Sequence, residues 1–198
     1  MTAAALCALS VAAIDGPLAI ALSSVSPDIK RWIHQGVSLC EVLFGFRVSP
    51  FLFGGLLIVA GLATLPRKRG LLPWAFLFIG LPHVTARFAA DILKPPFSRL
   101  RPFEAFGQDG WHDVWFASVG NSFPSGHAVH FWSLFFPLAI LFPKHRIALV
   151  VLPVLISAAR VIVNDHYLSD VLASIALAAT LTAVFARTLL KRGQRKVA

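Results

Sequence analysis

Acidic side chains are scarce in this sequence. Nine Asp and Glu stand against 18 Lys and Arg in 198 residues, a net charge of +9, and charged residues make up only 14% of the chain. Soluble domains carry roughly 25% charged and about 45–50% apolar residues. Here 57% are hydrophobic and the mean hydropathy is +0.75, which excludes an ordinary soluble domain. Cysteine is almost missing: Cys7 and Cys40 have no metal-type spacing and read as isolated hydrophobic thiols. Carboxylates are not clustered either, so neither a metal nor another cofactor is expected. Met1 to Ile14 lacks the basic start of a secretory signal peptide, which favours a first membrane helix. No internal repeat and no low-complexity tract occurs.

The basic surplus can be read as a nucleic-acid footprint. Its placement speaks against that. The cations stand at the ends of apolar blocks and in short loops, as membrane proteins arrange them, so the expected partner is the bilayer and no nucleic acid.

A bilayer-crossing helix needs about 20 mostly apolar residues. Six segments qualify: 3–22, 48–65, 71–93, 126–142, 147–163 and 168–190. Asp15-Gly16-Pro17 interrupts the first. Residues 27–46 mix Lys30, Arg31, Glu41 and Arg47 with Trp32, Ile33, Leu39 and Leu43, the pattern of an amphipathic helix lying on the surface. The expected fold is all-α: a single domain over 1–198, with six transmembrane helices in one bundle and an interfacial helix after the first. Basic clusters at Arg67-Lys68-Arg69, Lys144-His145-Arg146 and Lys191, Arg192, Arg195 and Lys196 follow alternate helices. The positive-inside rule then puts them, and both termini, in the cytoplasm. The loops at 24–50, 94–125 and 164–167 face outward. Lys94, Arg99 and Arg101 lie on that outer side against the charge bias, which calls for a reason beyond anchoring.

Three polar segments share the outer face. Arg160 lies near the end of the fifth span. His166 and Asp170, four residues apart, share one helical face at the start of the sixth. A carboxylate there can fix the tautomer of the imidazole and free its other nitrogen to attack; taken alone, the pair is equally a structural hydrogen bond. Ser125 reads as an N-cap, and Gly126 lets an anion approach the free N–H groups of a helix start. His127 follows, placed to protonate a leaving oxygen. Lys94, Arg101 and Arg160 can surround the oxygens of a transferring phosphoryl group, whereas three cations with no anion among them would repel one another.

Taken together, Lys94-x6-Arg101-Pro102, Pro124-Ser125-Gly126-His127 and Arg160-x5-His166-x3-Asp170 resemble the three-part signature of the type 2 phosphatidic acid phosphatase superfamily. The match runs in order over a motif core at 94–170, and the six-helix layout resembles the membrane branch of that family. The resemblance implies a metal-independent phosphatase acting on a lipid phosphate or diphosphate. His166 would be the nucleophile that becomes phosphohistidine, Asp170 its orienting carboxylate and His127 the general acid. Lys94, Arg101 and Arg160, with Ser125 and the Gly126 backbone, would bind the phosphate. Undecaprenyl diphosphate, phosphatidylglycerol phosphate, phosphatidic acid and the 1-phosphate of lipid A are the implied substrates, in a bacterial inner membrane with the site on the periplasmic face. Transfer of the phosphate to a second lipid is the alternative outcome, and a non-enzymatic lipid-phosphate binder or transporter a more distant one. Nothing in the sequence bears on oligomeric state.

One position departs from the family pattern. The third part usually begins Ser-Arg, and here it is Ala159-Arg160, with Ser157 two residues away. Weaker support of the bound phosphate is expected. Arg87 and Asp91, four apart on the third span, read as a structural pair, and His83 as structural. Asp165 either tunes the site or caps the sixth helix. Asp109, His112 and Asp113 read as solvated loop residues, and Trp111, Trp115 and Phe116 as interfacial aromatics.

Overall fold

A computed structural model describes residues 2–66, 71–107 and 110–190. The basic clusters at 67–69 and 191–196, and Asp109, lie outside the described residues. Eight α-helices account for most of the rest: α1 (Ala3–Ala13), α2 (Asp15–Ser23), α3 (Pro27–Leu43), α4 (Leu52–Thr64), α5 (Leu71–Phe97), α6 (Gly126–Leu141), α7 (Arg146–Ile162) and α8 (Leu168–Phe185). The fold is not purely helical. A two-stranded antiparallel hairpin, β1 (Phe106–Gly107) and β2 (Gly110–Trp111), lies in the long connection between α5 and α6.

The first apolar segment breaks where the sequence places Asp15-Gly16-Pro17. Helix α1 ends at Ala13, and α2 leaves it at 54°. Proline has no N–H to continue the ladder, so a bend there costs little. Helix α3 starts at a Ser26 cap with Pro27 at its first position, an arrangement that serves the orphan N–H groups of a helix start. Among the described residues, three helical stretches are long and apolar enough to cross a bilayer: that beginning at Leu71, Pro143–Ile162 and Leu168–Leu189. The bent pair α1–α2 makes a fourth if taken as one span. Helices α4 and α6 have 13 and 16 residues, fewer than an independent crossing needs.

Helix α5 packs against α4 through small residues. A Cβ on Gly80 would come within 2.7 Å of the Gly54 carbonyl, and one on Gly54 within 2.6 Å of the His83 ring, so only glycine allows the two backbones to meet this closely. His83 is fully buried there. Its Nε2 donates to the Pro50 carbonyl at 3.0 Å, and Nδ1 lies 2.8 Å from Ser133 Oγ, a structural role as expected. The central apolar cluster joins Val37 of α3, Ile79 of α5, Phe131, Leu134 and Phe135 of α6, and Ile156 of α7. The outer surface stays apolar, with Val59, Phe88, Ile147 and Leu155 exposed, as lipid-facing helices require. Polar side chains gather instead at one end of the bundle, where α5 ends and α6 and α8 begin.

Candidate active site

The site is built from three chain segments converging on that end. Helix α5 delivers Lys94 in its last turn, and the chain then runs through Arg99 and Arg101. The α6 start delivers Ser125, Gly126 and His127, the last turn of α7 delivers Arg160, and the short α7–α8 link delivers Asp165 and His166. Lys94 Nζ donates to the Asn121 carbonyl at 3.0 Å, and Arg101 Nε to the Asn121 side chain at 2.9 Å. Asn121, which carried no sequence signal, thus ties the first segment to the second.

Ser125 caps α6, accepting from the Ala128 N–H at 3.4 Å. A Cβ on Gly126 would come within 3.1 Å of Arg87 Nη1 and 3.9 Å of Lys94 Nζ, so the helix start lies directly beside cations. Arg87 donates to the Gly126 carbonyl at 2.9 Å and to Asp91 at 3.0 Å. The expected pair exists, and it also holds the α6 start in place.

His166 is 2% exposed. Its Nδ1 lies 2.9 Å from the Ser122 carbonyl, whereas Asp170 Oδ2 stands at 3.7 Å, too far for a hydrogen bond. The expectation that Asp170 fixes the tautomer directly is therefore revised. A carbonyl can only accept, so Nδ1 carries the proton and Nε2 keeps its lone pair. Asp170 acts one step removed: its Oδ2 accepts from Ser122 Oγ at 2.6 Å and from the Tyr167 N–H at 2.9 Å, fixing the segment that presents the carbonyl. Burial pushes the His166 pKa below 6.5, and the positive Arg160 and Arg101 push the same way against Asp170.

His127 makes a 2.6 Å contact from Nε2 to Glu41 Oε1, across 86 positions of sequence. Glu41 sits on α3, and the amphipathic pattern there gave no hint of this role. Its pKa is lowered, first by the hydrogen bond from His127 and then by the charges of His127, Arg160 and Arg47 against its burial. An ionised Glu41 accepts from His127 and opposes the burial that lowers that ring's pKa.

Arg160 pairs with Asp165 Oδ2 at 2.7 Å, and Arg101 reaches Asp165 Oδ1 at 3.8 Å. Asp165 does not cap α8; it is the carboxylate the two arginines share. Among the described residues, Asp165 and the Asn121 oxygens are the close partners of Lys94, Arg101 and Arg160, and the buried Arg160 Nε has no protein partner. Ser157 does not replace the hydroxyl missing at Ala159; it accepts from Trp132 Nε1 at 3.0 Å.

A second cation is satisfied by contrast. Arg99 is fully buried and donates to Asp170 at 2.7 Å, to Ser169 at 2.7 Å, to Asp15 at 2.8 Å and to both oxygens of Asp113 at 2.8 and 2.9 Å. Tyr167 and Trp115 lie over its plane at 3.7 and 4.3 Å. Asp113 is thus no solvated loop residue. Trp115 stacks inside, and Trp111 donates to Tyr167 at 3.3 Å, so of the three expected interfacial aromatics only Phe116, 74% exposed, faces outward.

Surplus cations around a buried, proton-free imidazole nitrogen, at one end of an apolar helical bundle, are the arrangement of a membrane phosphatase. The chain belongs to the PAP2 superfamily, whose profile matches residues 74–194. It is 31% identical over 195 residues to a lipid A 1-phosphatase of Rhizobium johnstonii, covering 90% of this chain and 76% of that protein. A lipid A 1-phosphatase of Rhizobium etli is 32% identical over 105 residues, 52% of this chain and 45% of its own. The fold is shared with the crystal structure of a transmembrane PAP2-type phosphatidylglycerolphosphate phosphatase from Bacillus subtilis, with a TM-score of 0.61 and 23% identity over 96% of this chain and 90% of that one. The protein is accordingly an integral membrane hydrolase of the lipid phosphatase class.

Proposed function

We propose that this chain removes a phosphate from a membrane lipid through a phosphohistidine on His166. The observation that carries the reading is the charge imbalance beside that ring: among the described residues Arg101 and Arg160 share the one carboxylate of Asp165, Lys94 has only the Asn121 carbonyl, and Arg160 Nε is left for a ligand. A phosphoryl group supplies the missing anion. In the first step His166 Nε2 forms a bond to phosphorus and the phosphorus–lipid oxygen bond breaks. The proton from His127 goes to the departing oxygen. In the second, water attacks phosphorus, His127 takes its proton, and the nitrogen–phosphorus bond breaks to release phosphate. The Ser125 cap and the Gly126 N–H serve the oxygens of the transferred group, with the α6 dipole behind them.

The 1-phosphate of lipid A is the favoured substrate, supported by the named activity of the Rhizobium relatives. Phosphatidylglycerol phosphate, phosphatidic acid and undecaprenyl diphosphate present the same group to the pocket and are the comparison substrates. Residues 1–198 then act as one domain. The six apolar segments would all cross a bacterial inner membrane, with both termini cytoplasmic and the site periplasmic. The short α4 and α6 would reach through a bilayer thinned or locally packed around them.

The test is phosphate release from that lipid panel by the purified chain. His166→Ala should reduce release by roughly a thousandfold or more, since loss of a nucleophile removes the whole covalent route. Radiolabelled substrate should leave an acid-labile, base-stable label on the wild-type chain. Release unaffected in His166→Ala would sink the assignment.

A further inference from the structure

Helix α3 has three faces. Ile33, Val37, Cys40 and Phe44 pack on the central core. Ile29, Trp32, Leu39, Val42 and Leu43 are 53–72% exposed, an apolar face fit for the bilayer boundary. The third face is polar: Arg31, His34, Gln35 and Ser38 recur at helical spacing and line an open cavity of about 370 Å³, bordered by Arg47 and by Arg160 of the phosphate pocket. Glu41 lies at the end of the same stripe, in that wall and bonded to His127. Sites for small molecules span about 300–1,000 Å³, so this one is large enough for a ligand group.

Its chemistry is that of a donor-rich chamber. Among the described residues Arg31 pairs only with Asp28, at 3.5 Å, and the two side chains are 70% and 78% exposed. Among the described residues Gln35 and Ser38 take no protein hydrogen bond from their side chains, while the carboxylate Glu41 is already engaged by His127 and Arg47. A stripe serving only as a solvated helix face would have no need of Arg160 and Glu41 as walls.

We infer that this cavity is a head-group subsite, built for a hydroxyl-bearing ring that carries a second anion. The inference rests on the proposed phosphatase reading and extends it to the leaving group. If His127 protonates the departing oxygen, whatever is attached to that oxygen extends past Glu41 into the cavity. A diacylglycerol would bring apolar chains to a wall of donors, which desolvation opposes. A phosphorylated sugar brings hydroxyls for Gln35 and Ser38 and an anion for Arg31, while its acyl chains stay at the level of Trp32 and Leu39. Helix α3 is then the specificity element of the enzyme.

The experiment uses the full chain in mixed micelles with three substrates: an acylated glucosamine disaccharide bearing two phosphates, the same lipid with the anomeric phosphate alone, and dioleoyl phosphatidic acid. Gln35→Ala/Ser38→Ala should raise KM about tenfold for both glycolipids, the size of one or two lost hydrogen bonds, with kcat held and phosphatidic acid within about twofold. Arg31→Gln should weaken only the doubly phosphorylated lipid, by a similar factor. Equal losses on all three substrates, or none, would overturn the subsite. If the wild-type chain releases phosphate from no lipid, the phosphatase reading fails separately. Equilibrium binding of the doubly phosphorylated lipid then decides the subsite: a roughly tenfold loss in Gln35→Ala/Ser38→Ala supports it, and unchanged binding refutes it.

Discussion

Arg99 Nη1 donates to Asp170 Oδ1 at 2.7 Å, and neither side chain is reached by solvent. The contact joins the chain after α5 to the start of α8 across 71 positions, at the carboxylate that also holds Ser122 and Tyr167. Because Ser122 offers its carbonyl to His166, the guanidinium acts on the imidazole through two intermediates and touches neither substrate nor ring.

Removing it should unfold the end of the bundle before it affects chemistry. Arg99→Gln leaves Asp15, Asp113 and Asp170 without their common cation, and breaking a buried pair in this way costs about 3–5 kcal/mol. Arg99→Lys keeps the charge but loses the planar fork that reaches all three, and should fall between. Thermal unfolding of the detergent-solubilised chain measures the order. Equal melting of Arg99→Gln and wild type would refute the account.

The pH dependence has two limbs with different owners. His166 must be neutral to attack. Its pKa is lowered by burial and by the charges of Arg160 and Arg101, so activity falls with acid only below pH 6.5. Arg101→Gln should move that acidic limb upward in kcat/KM, since one of the charges disfavouring imidazolium is gone. Glu41→Gln should move the alkaline limb downward, because the carboxylate that favours protonated His127 is lost. A profile identical to wild type in both variants contradicts the division of roles.

Gly126→Ala tests the closeness of the anion to the α6 start. The added methyl would press on Arg87 Nη1 at 3.1 Å and lie 3.9 Å from Lys94 Nζ, where the phosphate oxygens are proposed to sit. Inhibition by vanadate, which copies the five-coordinate phosphorus of the transition state, should weaken about tenfold or more. Thermal stability should change little. Unchanged vanadate inhibition would place the anion elsewhere.

Ala159→Ser restores the hydroxyl of the family pattern beside Arg160, whose Nε has no protein partner. Turnover should rise about two- to threefold, the worth of part of one hydrogen bond. Unchanged or lower turnover, read from initial rates at saturating lipid, would remove the proposed defect.

The sequence made the repeating parts of this molecule legible and the crossing contacts invisible. Lys94, Arg101, Ser125, Gly126, His127, Arg160 and His166 stand at fixed spacings within short segments, and those segments meet at one end of the bundle. Asn121, Glu41 and Asp15 carry no such spacing. They reach the site across 20 to 86 positions in the contacts of Arg101, His127 and Arg99, and linear pattern holds no information on such pairings. Arg99 did leave a trace, as a cation in a loop that the positive-inside rule would assign to the outer side. Helical spacing also misled: His166 and Asp170 do share a face, yet the Ser122 carbonyl takes the nearer place at the ring. Helix α3 was legible from its mixed charges, whereas the inward turn of Trp111 depends on Gly16 and Tyr167 and that of Trp115 on Phe97, Arg99, Asp113 and Phe123.

The 54° turn between α1 and α2 delivers Asp15 to Arg99 and to the Ser169 N–H, 154 positions downstream. The bent α1–α2 pair is therefore no interchangeable lipid tether. Its buried carboxylate is made before Arg99 and Ser169, and the catalytic end of the enzyme can lock only when both arrive to share it.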